Sequence, residues 1–473
     1  MTRPLVFGNP RFHVGMDPRG DWVDLYYPFV GYPNHGHRIS LGVYDLKAKK
    51  MSWIREGWEL SLKYYEDVPI GLIEALSKEF ELKITITSFV HYSKNILWNR
   101  IKVINLSKSP KNLRLFMYHD LHLKENPFKD TAMLDKRLEA IIHYKDDVYF
   151  AFGSIPSFNH FAVGIKEWAG LEGTWRDADD GSLSGNMVSH GLADSCIGWD
   201  FEEPFETKKI DHYGIVANSF KEMEANLIDG VKEGFEKSLE ETKAYWLAWL
   251  SKSNFDFGLD DKVDRLLKRS LTLLKLLISE NGSIVASTDF EIIRYVGDNY
   301  NYIWPRDACY CAEALDAWGY YGPSAKIFDF LFNLITEKGY FLHKYYPTGN
   351  FGSTWHPVPF IQIDQTGSFL HAFWKHYSLS KKIDQVAKNW DKIVRMGEFL
   401  AEWRDKYTGL PKPSWDLWED RKAVSTYSCC AVYGGLMAAG KLAEVMGRED
   451  YKDKDYFRKN SEEVKNGILN QLY

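Results

Sequence analysis

The chain has 473 residues, 45% of them apolar, and a formal net charge of −6, which leaves room for two or three domains and shows no basic run of the kind that binds nucleic acid. No uncharged apolar run reaches membrane-spanning length, and Met1 to Pro10 lacks the apolar stretch and cleavage site of a secretory signal, so the expected location is the cytoplasm. Five cysteines, an odd number without zinc-ligand spacing, read as buried thiols rather than as disulfides or metal ligands, and nothing calls for a cofactor.

Residues 1–218 read as β structure. In Glu81 to Val90, Leu82, Ile84 and Ile86 share one side and Lys83, Thr85 and Thr87 the other, as a half-buried strand requires. Asn99 to Asn105, Asn112 to Tyr118 and Asp147 to Phe152 are similar β-forming runs, and Gly, Asn, Asp and Pro turns separate them. The expected fold is an antiparallel β-sandwich. Two polar stretches invite a metal reading. Asp177 to Asn186 lacks the Glu and helical flanks of a calcium loop, and His35 and His37 have no third ligand nearby in sequence, so both read as ordinary loop residues.

From about Ser219 the period changes. Residues 219–257 are rich in Glu, Lys, Ala and Leu and read as a helical linker ending at Ser-Asn-Phe-Asp-Phe-Gly. Residues 258–473 read as a helical domain. Its first helix carries an apolar stripe of Val263, Leu266, Leu267, Leu271, Leu274 and Ile278. Further helices are expected at 306–318, 324–337, 364–378, 383–404, 424–446 and 450–468, about seven in all. The loops 281–305, 339–363 and 405–422 carry the polar and aromatic residues, the usual layout of a binding site on a rigid frame.

Two of those loops concentrate chemistry. Pro411 to Asp420 places three carboxylates and two indoles within six positions, Asp416, Glu419, Asp420, Trp415 and Trp418. An indole face shields a sugar ring from water, and a carboxyl kept protonated in such surroundings can donate to a glycosidic oxygen. Glu419 is the candidate acid. Asp298 to Asp307 repeats the theme, with Arg306 donating and Asp307 accepting hydrogen bonds to sugar hydroxyls and Tyr300, Tyr302 or Trp304 forming a stacking wall. The competing reading makes both stretches solvated loops over core aromatics.

Together with Asp364 to Ala372, these stretches closely resemble the glucoamylase-like enzymes of glycoside hydrolase family 15. The resemblance implies an N-terminal β-sandwich, a helical linker and an (α/α)6 toroid of twelve helices, releasing glucose from non-reducing ends with inversion. It assigns Glu419 as general acid with Asp416 in support, and Tyr300, Trp304, Arg306, Asp307, Trp418 and Asp420 to substrate, with Trp355 a weaker match. Inversion also needs a carboxylate base about 6.5–9.5 Å from the acid, with water between them. In the family that base lies between late helices, and with about seven helices here no residue can be named for it. A C-terminally incomplete toroid is therefore expected, as a fragment, as half of an enzyme completed by a second chain or a homo-oligomer, or as a degenerate remnant. Substrate linkage stays open among α-1,4 glucan, α-1,6 glucan and trehalose. The alternative class is a catalytically inactive carbohydrate-binding or regulatory protein of the same fold.

Overall fold

The computed structural model describes residues 3–107, 109–201, 207–253, 258, 260–288, 300–354, 360–447 and 452–472. The chain divides into two compact units, Met1–Leu276 and Leu277–Tyr473.

The first unit is a sandwich of two antiparallel sheets. One runs Leu5–Gly8, His13–Met16, Trp22–Phe29, Gly36–Asp45, Leu113–Leu121, Ala193–Phe201, His160–Trp168 and Leu171–Glu172. The other runs Val188–Gly191, Asp130–Asp135, Ala140–Lys145, Val148–Ile155, Thr207–Ala217, Ile96–Asn105, Leu82–Val90, Gly71–Ser77 and Glu59–Tyr64. The alternation that marks Leu82–Val90 as a strand is realised: Leu82, Ile84 and Ile86 are buried and Lys83, Thr85 and Thr87 half-buried. Their faces meet Trp22, Leu41, Leu115, Met117 and Ile197 from the opposite sheet in one continuous apolar core.

A helix at Phe220–Leu250 packs on this sandwich, its start fixed by Ser219, whose hydroxyl accepts from the Glu222 N–H. Phe235 anchors it edge-on against Phe89 and Trp98. The next helix, Asp261–Leu276, falls in the first unit. Its expected apolar stripe is buried towards the end and open at the start: Leu271 and Ile278 are buried and Leu267 and Leu274 half-buried, whereas Leu266 is 65% exposed and Val263 38%. The helix also meets the sandwich through Arg269, whose guanidinium lies 3.2 Å from the Tyr64 ring centre.

The second unit carries, among the described residues, the helices Pro305–Ala317, Tyr321–Phe332, Ile363–Ser380, Ile383–Lys388, Trp390–Glu402, Thr426–Val445 and Lys452–Gln471. The stretch expected as one helix over 383–404 is two, parted at Asn389, whose backbone (φ −110, ψ 13) leaves the helical region. Phe328, Phe332, Phe369 and Phe373 form its aromatic centre. Gly367 and Gly435 let two helices touch: a Cβ on Gly435 would sit 2.7 Å from the Gly367 Cα, and one on Gly367 only 2.3 Å from the Ala431 carbonyl oxygen. That close approach sets the Ile363–Ser380 helix, and with it Asp364, beside the Thr426–Val445 helix.

Candidate active site

Trp304 owes its conformation to the next residue. Proline at 305 disfavours helical backbone before it, so Trp304 sits extended as the N-cap of Pro305–Ala317, with Pro305 in the first turn. Immediately upstream, Ile303 exchanges two backbone hydrogen bonds with Tyr345, at 2.8 and 2.9 Å. This pins the 300–305 loop to the 341–346 loop and sets Trp304 beside His343. A third loop joins them through a two-residue hairpin, Ser414–Trp415 with Lys422–Ala423. It is tied down where the Trp415 N–H donates to the Ile361 carbonyl (3.1 Å) and Gln362 Nε2 to the Asp416 carbonyl (2.6 Å).

Glu419 stands at the tip of that hairpin. Its φ of +63° is a left-handed value that a non-glycine residue holds only when its surroundings impose it. The imposing contacts are local: the Glu419 N–H bonds the Asp416 carbonyl (3.0 Å), and the Asp416 carboxylate accepts from the Asp420 N–H (3.0 Å). Asp416 thus supports Glu419 through the backbone. The Glu419 side chain, 11% exposed, places Oε1 3.0 Å from Trp304 Nε1 and 2.5 Å from His343 Nε2. Trp304 Nε1 is also 3.3 Å from His343 Nε2, but an indole can only donate, and the shorter contact assigns its proton to Glu419. His343 is fully buried and held against the Phe360 ring, which stacks on Trp415.

A second polar centre lies one turn along. Arg306, buried, donates from Nη1 to Asp364 Oδ2 (3.1 Å) and Gln362 Oε1 (3.4 Å), and from Nη2 to Asp307 Oδ2 (3.1 Å). Burial works against the guanidinium's charge, but Asp364 and Asp307 outweigh it and hold its pKa above the ordinary value. Asp364 is wholly buried, and that burial pushes its carboxyl up against the pull of Arg306. Gln365 completes the frame, donating to the His343 carbonyl (2.9 Å) and to Gln362 Oε1 (3.0 Å). One hydrogen-bonded frame therefore connects Arg306, Gln362 and the Asp416 backbone to Glu419 and Trp304.

Of the residues singled out in the sequence, the structure brings together Trp304, Arg306, Asp307, Asp416 and Glu419. Tyr300 is 57% exposed, its ring centre 6.1 Å from that of Trp304. Trp418 is 80% exposed, and Asp420 is exposed with its backbone, not its carboxylate, in the network. Trp355 lies outside the described residues. Asp364 and Gln365 open the Asp364 to Ala372 stretch of the resemblance but carried no assigned role, and reading by motif passed over His343 and Gln362, and also Lys344, which is buried with its ammonium 4.3 Å from the Tyr302 ring centre. The signal for Asp364 and Gln365 was a buried acid and amide opening a helix.

Two clusters among the described residues gather metal-ligand side chains, His37 with Asp120 and His122, and His91 with Glu233 and Glu241. The fold supplies His37 with the neighbours its sequence lacked. In the first cluster, however, the protein already fills the carboxylate: His37 Nδ1 is 2.7 Å from Asp120 Oδ2, and the Lys166 ammonium pairs with Oδ1. In the second, His91 Nδ1 accepts from the Ser93 and Lys94 N–H groups, so Nε2 carries its proton towards the two glutamates. Neither arrangement fits a cation. His35, read as a loop residue, is wholly buried, with Nε2 2.8 Å from the Tyr27 carbonyl. The cysteines are free thiols, and Cys430 is exposed rather than buried.

No family model matches the chain. It is 27% identical to an uncharacterized glycosyl hydrolase of Methanocaldococcus jannaschii over 99% of its own length and 74% of that protein's. It is 28% identical to trehalase 1 of Sulfolobus acidocaldarius, over 41% of this chain and 38% of that one. A crystal structure of a bacterial glucoamylase complexed with acarbose superposes with a TM-score of 0.82 at 17% identity, covering 98% of this chain. The chain spans 66% of that glucoamylase. The fold is thus glucoamylase-like, a β-sandwich followed by a helical unit. The sequence relatives place the chain beside glycoside hydrolases.

Proposed function

We propose that the chain acts as an exo-acting glycoside hydrolase of the family 15 type, releasing glucose from non-reducing ends of α-glucans with inversion, with Glu419 as the general acid. The observation that carries this reading is the setting of Glu419. Oε1 receives the Trp304 N–H and lies 2.5 Å from His343 Nε2; in the His343 tautomer that carries its proton on Nε2, the proton of the acid form resides on Oε2, the oxygen with no hydrogen bond among the described residues. Oε2 is then the atom that protonates the glycosidic oxygen as the bond to the anomeric carbon breaks.

Arg306 and Asp307 fix the terminal sugar, one donating and the other accepting. Asp307 leaves about half of its side chain exposed for that purpose, while Asp364 and Gln362 hold the guanidinium plane. Trp304 and Tyr300 supply ring faces. The water-activating carboxylate stays unassigned. Within the same class, the similarity to trehalase 1 favours trehalose as a second candidate substrate. The test is glucose release from maltose, isomaltose and trehalose, with the anomer read by NMR. Release of β-glucose from one of them supports the reading. A folded chain that releases none, alone or with added helical partner fractions from its source, overturns it in favour of a binding protein.

A further inference from the structure

A groove of about 660 Å³ opens on the β-sandwich unit, lined by Asn126, Phe128, Lys129, Thr131, Tyr144 and His190 with Lys145 and Asp146. Its volume lies in the range of about 300–1,000 Å³ typical of small-ligand sites. None of these residues belongs to the candidate active site, which lies in the helical unit.

The groove is built rather than incidental. Phe128 is 60% exposed, yet its loop is not free to fold the ring away. Lys145 Nζ donates to the carbonyls of Leu123 (3.1 Å), Asn126 (2.9 Å) and Phe128 (2.7 Å) and pairs with Asp130 (3.2 Å). The Phe128 N–H bonds Asn126 Oδ1 at 2.8 Å. Three non-glycine residues of the loop, Lys124, Glu125 and Lys129, hold φ values of 57°, 61° and 65°. Backbone in that region is strained and persists where the surrounding contacts impose it. Across the groove, Tyr144 is stacked on Tyr149, ring centres 5.5 Å apart and planes within 10°, which fixes its orientation.

The polar groups tell what would bind. Thr131 Oγ1 holds His190 Nδ1 at 2.7 Å, orienting that imidazole. His190 Nε2, the Tyr144 hydroxyl and Asn126 Nδ2 make no hydrogen bond among the described residues. Lys145 is turned onto carbonyls and Asp130, and Asp146 pairs with Lys124 at 3.1 Å, while Lys129 adds one exposed ammonium to the lining, with no ion pair among the described residues. Two ring faces, that of Tyr144 held by Tyr149, beside uncharged donors and acceptors suit a polyhydroxylated ring, whose hydroxyls the Lys129 ammonium can also reach.

We propose that this groove is a second, non-catalytic binding site for a neutral α-glucan chain, with sugar rings against Phe128 and Tyr144. The identity of the glucan rests on the hydrolase reading above; the groove itself does not.

The test is affinity electrophoresis of the full chain in native gels cast with glycogen or with dextran. Retardation of the wild type in at least one gel is expected. Phe128→Ala should raise the dissociation constant at least tenfold, Phe128→Tyr should retain binding, and both should cleave a disaccharide substrate at the wild-type rate. Binding retained in Phe128→Ala, no retardation in either gel, or retardation abolished by Asp307→Asn with Phe128 intact would each overturn the proposal. Phe128-dependent retardation by a chain that cleaves none of the disaccharides would leave the groove standing and sink the hydrolase reading.

Discussion

Lowering the pH from 7 to 5 should destabilise the β-sandwich unit, because five histidines are wholly buried there in neutral form and burial lowers a sixth, His91. Burial holds His13 and His35 down to about 4 and His143 and His212 to about 3. It also holds His119, which faces His212 and His143, well below the ordinary value. A depressed histidine is neutral in the fold but binds a proton in the unfolded chain below about pH 6.5, so its stability is complete above that value and drains as pH falls. Over this window the five wholly buried histidines together lose on the order of 9 kcal/mol. Three buried carboxyls oppose the loss. Burial raises Asp21 and Asp194 to about 6 and Asp130 to about 7, so the folded state takes up protons there first. They return about 5 kcal/mol over the same window, leaving a net loss of about 4 kcal/mol. Hydrogen exchange of the Leu113–Leu121 and Ala193–Phe201 amides, corrected for intrinsic rates, reports this unit directly. Protection should fall by about three powers of ten, since about 1.4 kcal/mol is tenfold. His143→Gln should flatten the slope at pH 5 by up to about 1.4 kcal/mol per pH unit. Protection that is level or rises towards pH 5 would refute the reasoning.

The helical unit supports three further expectations. Trp304→Phe keeps a ring but removes the N–H on Glu419 Oε1, and should lower kcat by about ten- to a hundredfold with KM little changed, read by steady-state kinetics on the preferred substrate. Arg306→Ala leaves Asp364 buried without its cation and should cost about 3–5 kcal/mol of stability by urea unfolding, whereas a loss under 1 kcal/mol would mean the pair is wetter than its geometry indicates. Gly435→Ala forces the Ile363–Ser380 and Thr426–Val445 helices apart and should cost about 1–3 kcal/mol or more, lowering activity through displacement of Asp364.

How much of this was visible in the chain depends on the range of the interaction that fixes each feature. The Leu82–Val90 strand and the Phe220–Leu250 helix are set by local alternation and an N-cap serine, and both were readable. Trp304 was readable because Pro305 dictates its backbone. His343 was not, since it meets Glu419 across 76 positions and sits in a loop whose motif names no acid. Gln362 was hidden in the same way, 56 positions from Arg306, and Asp364 stood in a recognised stretch while its pairing with Arg306, 58 positions away, was not visible. Helix 261–276 is legible only in part: the later members of its apolar stripe, Leu271 and Ile278, are buried, but Val263 and Leu266 are exposed and Arg269 adds a contact to a tyrosine ring that no periodicity shows. The Asn389 break escaped because asparagine interrupts a helix only when its context allows the helix to end.

The central claim is that Glu419 donates the proton to the leaving group, and leaving-group dependence tests it most directly. Wild type and Glu419→Gln should be compared on the disaccharide that the wild type cleaves and on α-glucosyl fluoride, whose fluoride departs without a general acid. The account expects disaccharide turnover to fall by at least about a hundredfold while fluoride turnover stays within about tenfold of wild type. Equal losses on both substrates, or none on either, would contradict it.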